Sequence, residues 1–418
     1  MGFKINTIFA AVKIAVIGGG AAGFFAAIHA AQANTENEVI LLEKTGKLLS
    51  KVLVSGGGRC NVTHACFENN RLATNYPRGE RQLKSAFSRF SVNDTVKWFE
   101  GRGVKLKTES DGRMFPITDN SETIAECLLN EAKKLKVNIE LNTDIKAIQP
   151  HLNGGFTLSD QSGRHIKADK VIVTSGGYAK PEGFEWLKLL GHKIIQPVPS
   201  LFTFNVPNNP VTELMGISVD QVKVKINELK HEFIGPLLIT HWGFSGPAIL
   251  KLSSYAAREL ADLDYEFTAQ ISWLSDKKED AVRNELMNLK AANPAKHMRN
   301  LFPYHQQLSK RLQDYLFTKA HVDADKNWAD ISKADVNNLV EVLLYDKYHV
   351  KGKTTFKEEF VTCGGVSLDD VHMKNMESKR VKGLHFAGEV LDIDGITGGF
   401  NFQAAWTTGY IAGTNAGK

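Results

Sequence analysis

At 418 residues the chain is too long for one simple core and predicts two or three domains. Hydrophobic residues at 43% and charged residues at 23% are the balance of a globular protein and exclude a wholly disordered or fibrous chain. The net charge of +5, with Lys and Arg spread among Asp and Glu, gives no strong case for a nucleic-acid or membrane partner, and no run reaches the ~18 uninterrupted apolar residues of a membrane helix.

The first residues, MGFKINTIFAA, superficially resemble a signal peptide, but their apolar run feeds into the strand that follows. Met1 to Ala11 are therefore read as a short extension. From Val12 a β-branched run ends in Gly18-Gly19-Gly20-Ala21-Ala22-Gly23, and a small-residue helix, FFAAIHAAQA, begins at once. This is G-x-G-x-x-G in strand–turn–helix context, which marks a dinucleotide site. Gly18 allows the tight turn, Gly20 lets the backbone approach a pyrophosphate, and Gly23 lets helix pack on strand. The helix N-terminus aims N–H groups at the phosphates. A second strand, EVILLEK, ends at Glu43, placed to accept from the ribose hydroxyls of an adenosine.

A glycine-rich loop runs from Lys51 to His64, followed by helices expected over Arg81–Phe90 and Val92–Gly101, the second capped by Ser91. Asp119 and Glu122 have capping-box spacing ahead of the helix IAECLLNEAKKL. Strands VNIEL, DIKAIQP, GFTLS and DKVIV follow, with turns at Asn153–Gly155 and Asp160–Gly163, suggesting a hairpin layer on a parallel sheet. A helix is expected over FEWLKLLGH. Composition shifts near Pro197 and Pro199, and strands dominate from Leu201 to Trp273, interrupted by a helix opened by Pro247. Residues 275–346 have helical spacing, with Phe302, Leu308, Leu312, Leu316 and Phe317 as core. After Lys353 strand–turn–helix grammar returns and closes the chain.

Four segments together resemble one family: VIGGGAAG, SGGGRCNVTH at Ser55–His64, THWGFSGPAILKLS at Thr240–Ser253, and AGEVLDIDGITGGFNFQAAW at Ala387–Trp406, with GRMFP and MESK in support. The chain resembles the aminoacetone-oxidase and bile-acid-reductase-like FAD-dependent flavoproteins, of the class with two dinucleotide-binding-type folds. The resemblance implies an α/β fold: a discontinuous Rossmann-like FAD-binding domain with an inserted β-barrel domain that itself carries a small helical domain. The expected boundaries are 12–195 for the first part of the FAD domain, 196–274 for the barrel, 275–346 for the helical insert, 347–356 for a return strand, and 357–418 for the last part.

The resemblance also implies site residues. Gly18, Gly20, Ala21, Ala22 and Gly23 would hold the pyrophosphate. Glu43 would hold the adenosine ribose, with Lys44 beside it, and Lys51, Ile145, Thr174 and Gly176 would also bind the cofactor. Ser55, Gly57, Gly58, Arg59, Cys60 and Asn61 would line the flavin side. Gly388, Glu389 and Asp392 would meet the ribityl and phosphate region, and Gly398, Gly399, Phe400 and Asn401 the pyrimidine end. Where family members carry a longer loop after the strand matching VIVTSGG, this chain runs directly from Tyr178 to Pro181.

No catalytic base is evident. His241 is a candidate acid or base, against a structural role. Arg59 could hold flavin or substrate charge, against an ion pair, and Tyr178 could replace the missing loop. Cys60 beside a flavin could form a redox couple, but Cys60, Cys66, Cys127 and Cys363 form no C-x-x-C pair or zinc spacing, so packing is the simpler reading and no metal is expected. Sparse cysteine fits a reducing cytoplasm. No second G-x-G-x-x-G unit appears, so NAD(P)H would bind transiently over the flavin or not at all. The expected activity is FAD-dependent hydride transfer on a small molecule with NAD(P)H as donor. An amine oxidase producing peroxide and a flavin-dependent RNA-modifying enzyme remain alternatives. Oligomeric state is not legible.

Overall fold

The computed structural model describes residues 11–354 and 361–418. The extension read at Met1–Ala11 lies outside them except for Ala11, as do residues 355 and 356 of the expected return strand. The chain divides into two compact units, Met1–Ser200 with Lys357–Lys418, and Leu201–Phe356.

The first unit is a mixed α/β Rossmann-like body. Its sheet takes Leu384–Phe386, Lys170–Val173, Lys13–Ile17, Glu38–Leu42 and Asn138–Glu140 in that spatial order, all parallel. Two short antiparallel strands, Val371–His372 and Glu377–Ser378, extend one edge. The central strands carry near-continuous Val, Ile and Leu, and these side chains are buried. A separate antiparallel hairpin sheet is formed by Ile145–Pro150, Phe156–Asp160 and His165–Ala168, as the sequence expected.

The first and last helices, Ala21–Ala33 and Phe400–Ala416, pack backbone to backbone. A Cβ on Gly409 would sit 2.7 Å from the Ala22 carbonyl oxygen, and one on Gly417 2.6 Å from that of Ala30. Gly413 meets Ala26 in the same way. Phe25 of the first helix packs against Phe90, Trp98, Phe99 and Trp406. His29 is buried among them and bonds the Phe25 carbonyl through Nδ1 at 2.7 Å.

Burial lowers the His29 imidazole to about 4, with Arg102 adding slightly and the Phe25 bond opposing. The unfolded chain takes up this proton near the ordinary value of 6.5, the folded one only near 4. Stability is therefore full above pH 6.5 and falls by up to about 3 kcal/mol as pH drops through that window. In urea melts at pH 7 and 4.5, His29→Gln is expected to remove this part of the acid loss. An undiminished difference between the two pH values would reject it.

The second unit holds a seven-stranded antiparallel sheet, in the order Asp346–Lys351, Glu266–Ser272, Ser218–Ile226, Glu232–Thr240, Gly243–Ser245, Thr203–Asn205, Lys353–Thr354. Pro247 opens the helix Pro247–Tyr255 at its first turn. Helices Glu279–Ala292, Lys310–Lys319 and Lys333–Leu344 follow, and Phe302, Leu308, Leu312, Leu316 and Phe317 are core as expected. Among the described residues no helix is long and apolar enough to cross a membrane.

Two local expectations need correction. Asp119 forms no capping box. It adopts a left-handed φ of 50° and pairs with Lys107 and Arg59, while Ser121 stands at the helix start and donates to the Leu53 carbonyl. The helix expected over FEWLKLLGH is only one turn, Glu185–Lys188, preceded by a 3-10 turn at Pro181–Phe184. Ser91 does cap Val92–Glu100, with Asp94 completing a capping box.

Candidate functional site

Strand Lys13–Ile17 ends in a turn whose glycines have separate reasons. Gly18 has φ +113°, and a Cβ there would collide with the Thr174 carbonyl. Gly23 lies against the Gly18 carbonyl oxygen so closely that no side chain fits. A Cβ on Gly20, by contrast, would meet nothing within 4 Å. The first-turn N–H groups that follow, including those of Ala21, Ala22 and Gly23, have no intrahelical acceptor. Thr174 Oγ1 donates to the carbonyls of Ile17 and Gly18 at 2.9 and 3.0 Å, fixing the turn to the next strand.

Glu43 closes this cradle. Its Oε2 accepts from the Gly19 N–H at 2.8 Å, and its Oε1 from Thr45 N and Oγ1 at 2.9 and 2.8 Å. Three donors fix the carboxylate at the end of its strand. Lys44, next in the chain, places its ammonium 5.4 Å from the centroid of the Tyr178 ring. Buried Ile145 opens the hairpin sheet. Gly176, in the left-handed region at φ 77°, faces open space.

The glycine-rich loop is a left-handed turn: Gly56, Gly57 and Gly58 have φ of 60°, 69° and 82°. Cys60, also left-handed at 60°, closes it by donating its N–H to the Ser55 carbonyl at 3.0 Å. Cβ atoms on Gly57 or Gly58 would again meet nothing within 4 Å. Burial pushes the Cys60 thiol up to about 12, so it is neutral at physiological pH, which argues against a thiolate beside a flavin. All four cysteines are free. Arg59 is committed elsewhere: Nη1 donates to Glu109 at 2.6 Å, Asp119 lies 3.6 Å away, and the guanidinium stacks 4.1 Å from the Phe115 centroid. The structural ion pair is thus present.

At the end of strand Leu384–Phe386, Glu389 accepts from Thr362 N–H at 2.9 Å and pairs at 2.5 Å with Lys51, which lies on the short helix that opens at Ser50 and leads into the glycine turn. Asp392 Oδ1 accepts from Gly364 N–H at 2.9 Å, and Gly388 N–H donates to Thr408. The turn before the last helix is pinned from several sides. Asn61, with its amide oriented to satisfy both ends, accepts from Gly399 N–H at 2.9 Å and donates to Thr63 O at 3.0 Å. His64 bonds the Gly398 carbonyl through Nδ1 at 3.0 Å and stacks on the Phe400 ring at 4.6 Å. Asn401 turns back to exchange two bonds with the Gly395 backbone at 2.8 and 2.9 Å, so its amide is a local brace.

Three of the four segments named from sequence thus lie in the first unit, and the fourth, Thr240–Ser253, lies in the second. The first unit's scaffold also relies on residues that sequence reading did not single out. Arg78 grips buried Asp394 through two nitrogens and also donates to Ser200 at 3.0 Å. Tyr76 donates to the Phe400 carbonyl at 2.6 Å. His64 stood inside a quoted motif, the one signal available; Arg78 and Tyr76 had none. His241 lies in the second unit, exposed beyond strand Glu232–Thr240, its ring against Trp242 at 4.0 Å. Among the described residues no His, Cys, Asp and Glu cluster suits a metal.

Known proteins resemble this chain over nearly its whole length. The family model described as HI0933-like protein Rossmann domain matches residues 12–415. A 3-dehydro-bile acid delta(4,6)-reductase of Clostridium scindens is 27% identical over 418 residues, covering 97% of this chain and 99% of its own. A ribosomal RNA dihydrouridine synthase of Escherichia coli K12 is 30% identical over 405 residues, covering 94% and 95%. Among solved structures, a 3-ketosteroid-delta4-(5alpha)-dehydrogenase from Rhodococcus jostii RHA1 aligns with a TM-score of 0.51 at 13% identity over 99% of both chains. A flavocytochrome c3 fumarate reductase aligns with 0.51 at 17%, over 98% of this chain and 78% of its own. At such identities the likeness shows the fold alone.

Proposed function

The chain belongs to the HI0933-like family of Rossmann-domain proteins, and on that premise we propose that it is an FAD-dependent oxidoreductase that saturates a carbon–carbon double bond conjugated to a carbonyl, with NAD(P)H as transient donor. One observation carries this reading. Two near-full-length relatives bear names, a delta(4,6)-reductase and a dihydrouridine synthase, that each describe adding two hydrogens across such a bond.

The residues present fit FAD. Gly20, Gly57, Gly58 and Gly176 all leave room where a side chain would project, which suits close approach of a flat, phosphate-bearing ligand. The group, when bound, supplies hydride transfer at its N5 position. The glycine turn and helix start at Gly18–Gly23 would hold the pyrophosphate, and Glu43, already fixed by Gly19 and Thr45, would present the remaining acceptor site of Oε2 to the ribose. Lys51 and Glu389 would line the ribityl and phosphate stretch with Gly388 and Asp392. The helix start at Gly399–Asn401, with its positive dipole end, would stabilise negative charge at the pyrimidine end. Ser55, Gly57, Gly58, Cys60 and Asn61 would form the flavin-side wall, with Arg59 stiffening it through Glu109 rather than meeting substrate. The second unit's sheet is read as the inserted barrel and its helices between 275 and 346 as the small helical insert.

A small conjugated ketone is the first substrate reading. The dihydrouridine-synthase relatives favour a second, a uridine in ribosomal RNA. Anaerobic absorbance of the purified protein tests both. Flavin bands near ~450 nm should bleach on adding NADH or NADPH, and recover with an unsaturated 3-keto steroid or with unmodified ribosomal RNA. Mass spectrometry would then find two hydrogens gained on whichever is the substrate. Bands that persist with both nicotinamides but bleach with small amines, with peroxide formed in air, would replace the reductase with an oxidase. Colourless protein that FAD cannot reconstitute would end the flavin reading.

A further inference from the structure

Tyr178 lies beside Lys44, the residue after the ribose-directed carboxylate of Glu43, with the ammonium 5.4 Å from its ring centroid. It is also close enough to Asp144 and Lys146, which flank Ile145, to feel their charges. That is the adenosine end of the cradle, not the end where the pinned Gly398–Asn401 turn lies.

The ring is held rather than loosely placed. Gly183 lies beneath it, where a Cβ would come 2.7 Å from Tyr178 Cβ and closer still to the ring. Phe184 packs edge-on at 4.8 Å and 79°. Trp186 Nε1 fixes the turn by donating to the Gly183 carbonyl at 2.9 Å. The short Pro181–Lys188 segment therefore seats one aromatic plane, half-buried, against the mouth of the cradle. A fixed aromatic plane costs little entropy when a flat partner lands on it.

We infer that Tyr178 is the aromatic wall on which the adenine ring of the cofactor stacks, displacing the Lys44 ammonium that lies over the ring. The inference rests on the FAD reading above. It moves Tyr178 from the reacting centre to cofactor selection, favouring a dinucleotide over the mononucleotide FMN, which has no adenine.

The test strips flavin from the full chain and titrates FAD and FMN separately by fluorescence. The parent should bind FAD tighter than FMN. Tyr178→Ala should loosen FAD about tenfold or more, the scale of one base–aromatic stack, and leave FMN unchanged. Tyr178→Phe should match the parent. Should the alanine variant fold poorly, Tyr178→Leu fills similar volume without a stacking plane and should show the same selective loss. Equal loosening of FAD and FMN, or no loosening of FAD, overturns this inference alone. A parent chain that binds neither flavin overturns the cofactor reading and this inference with it.

Discussion

A Gly20→Ala protein is expected to fold with the parent's melting temperature and to lose its FAD, with affinity down ten- to a hundredfold, about the cost of forcing one methyl into a filled site. Gly20 has φ −91° and ψ −169°, a conformation alanine adopts freely, and its Cβ would enter open space. The fold therefore has no need of glycine there; only a ligand does. Gly23→Ala, three residues on, adds the same methyl with the opposite outcome. That Cβ would overlap the Gly18 carbonyl oxygen and come 2.8 Å from Thr174 Oγ1, prising the first helix off its strand. A loss of about 3 kcal/mol or more is expected, read as early melting whether or not FAD is present. Paired thermal melts and flavin titrations separate the two. If Gly20→Ala retained FAD at the parent's affinity, the pyrophosphate does not lie over that turn.

Arg78→Leu is expected to cost about 3–5 kcal/mol, because it strands a charge inside the protein. Asp394 is fully buried, and burial raises its carboxyl above the ordinary range although Arg78 opposes the shift. The guanidinium reaches it with two nitrogens, a fork that lysine cannot reproduce, so Arg78→Lys should fall between leucine and the parent. Arg78→Leu combined with Asp394→Asn should recover part of the loss by removing the stranded charge. Asp394 immediately precedes Gly395, which Asn401 braces, so the leucine variant should also release flavin more readily. Denaturant melts of the three variants check this; a leucine variant within about 0.5 kcal/mol of the parent, the range of ordinary surface changes, would show that the pair contributes little.

These two residues show how much the sequence disclosed. The turn at Gly18–Gly23 was legible because strand, tight turn and helix are encoded locally, and so was Glu43, whose distance along the chain is set by one helix and one strand. Ser91 was legible as a cap because its partner, Asp94, is three residues away. Arg78 was not, because its partner lies 316 residues on and no periodicity connects them. Asp119 misled for the same reason: its spacing to Glu122 fitted a capping box, but Lys107 and Arg59 competed for the carboxylate and won. Arg59 read as a site cation with an ion pair as the alternative, and Glu109 within 2.6 Å makes it the ion pair. Tyr178 was noticed for its place in a shortened loop, but its neighbour Lys44 is brought to it only by the fold. Local grammar located the segments; the partners of each side chain came from contacts between them.

The packing of the first helix on the last has a consequence for biosynthesis. Asn37 hydrogen-bonds the Gly417 carbonyl at 2.7 Å across a separation of 380 residues, and strand Leu384–Phe386 is needed beside Lys170–Val173. On the ribosome the N-terminal strands emerge long before these partners, leaving a sheet edge and the Gly409-facing side of the first helix uncovered throughout elongation. The continuous segment Leu201–Phe356 can meanwhile form its own sheet. The first unit is thus finished only once residues 384–417 have emerged. Such long-range closure folds slowly, and the waiting chain is the form most exposed to aggregation and most in need of chaperone shelter.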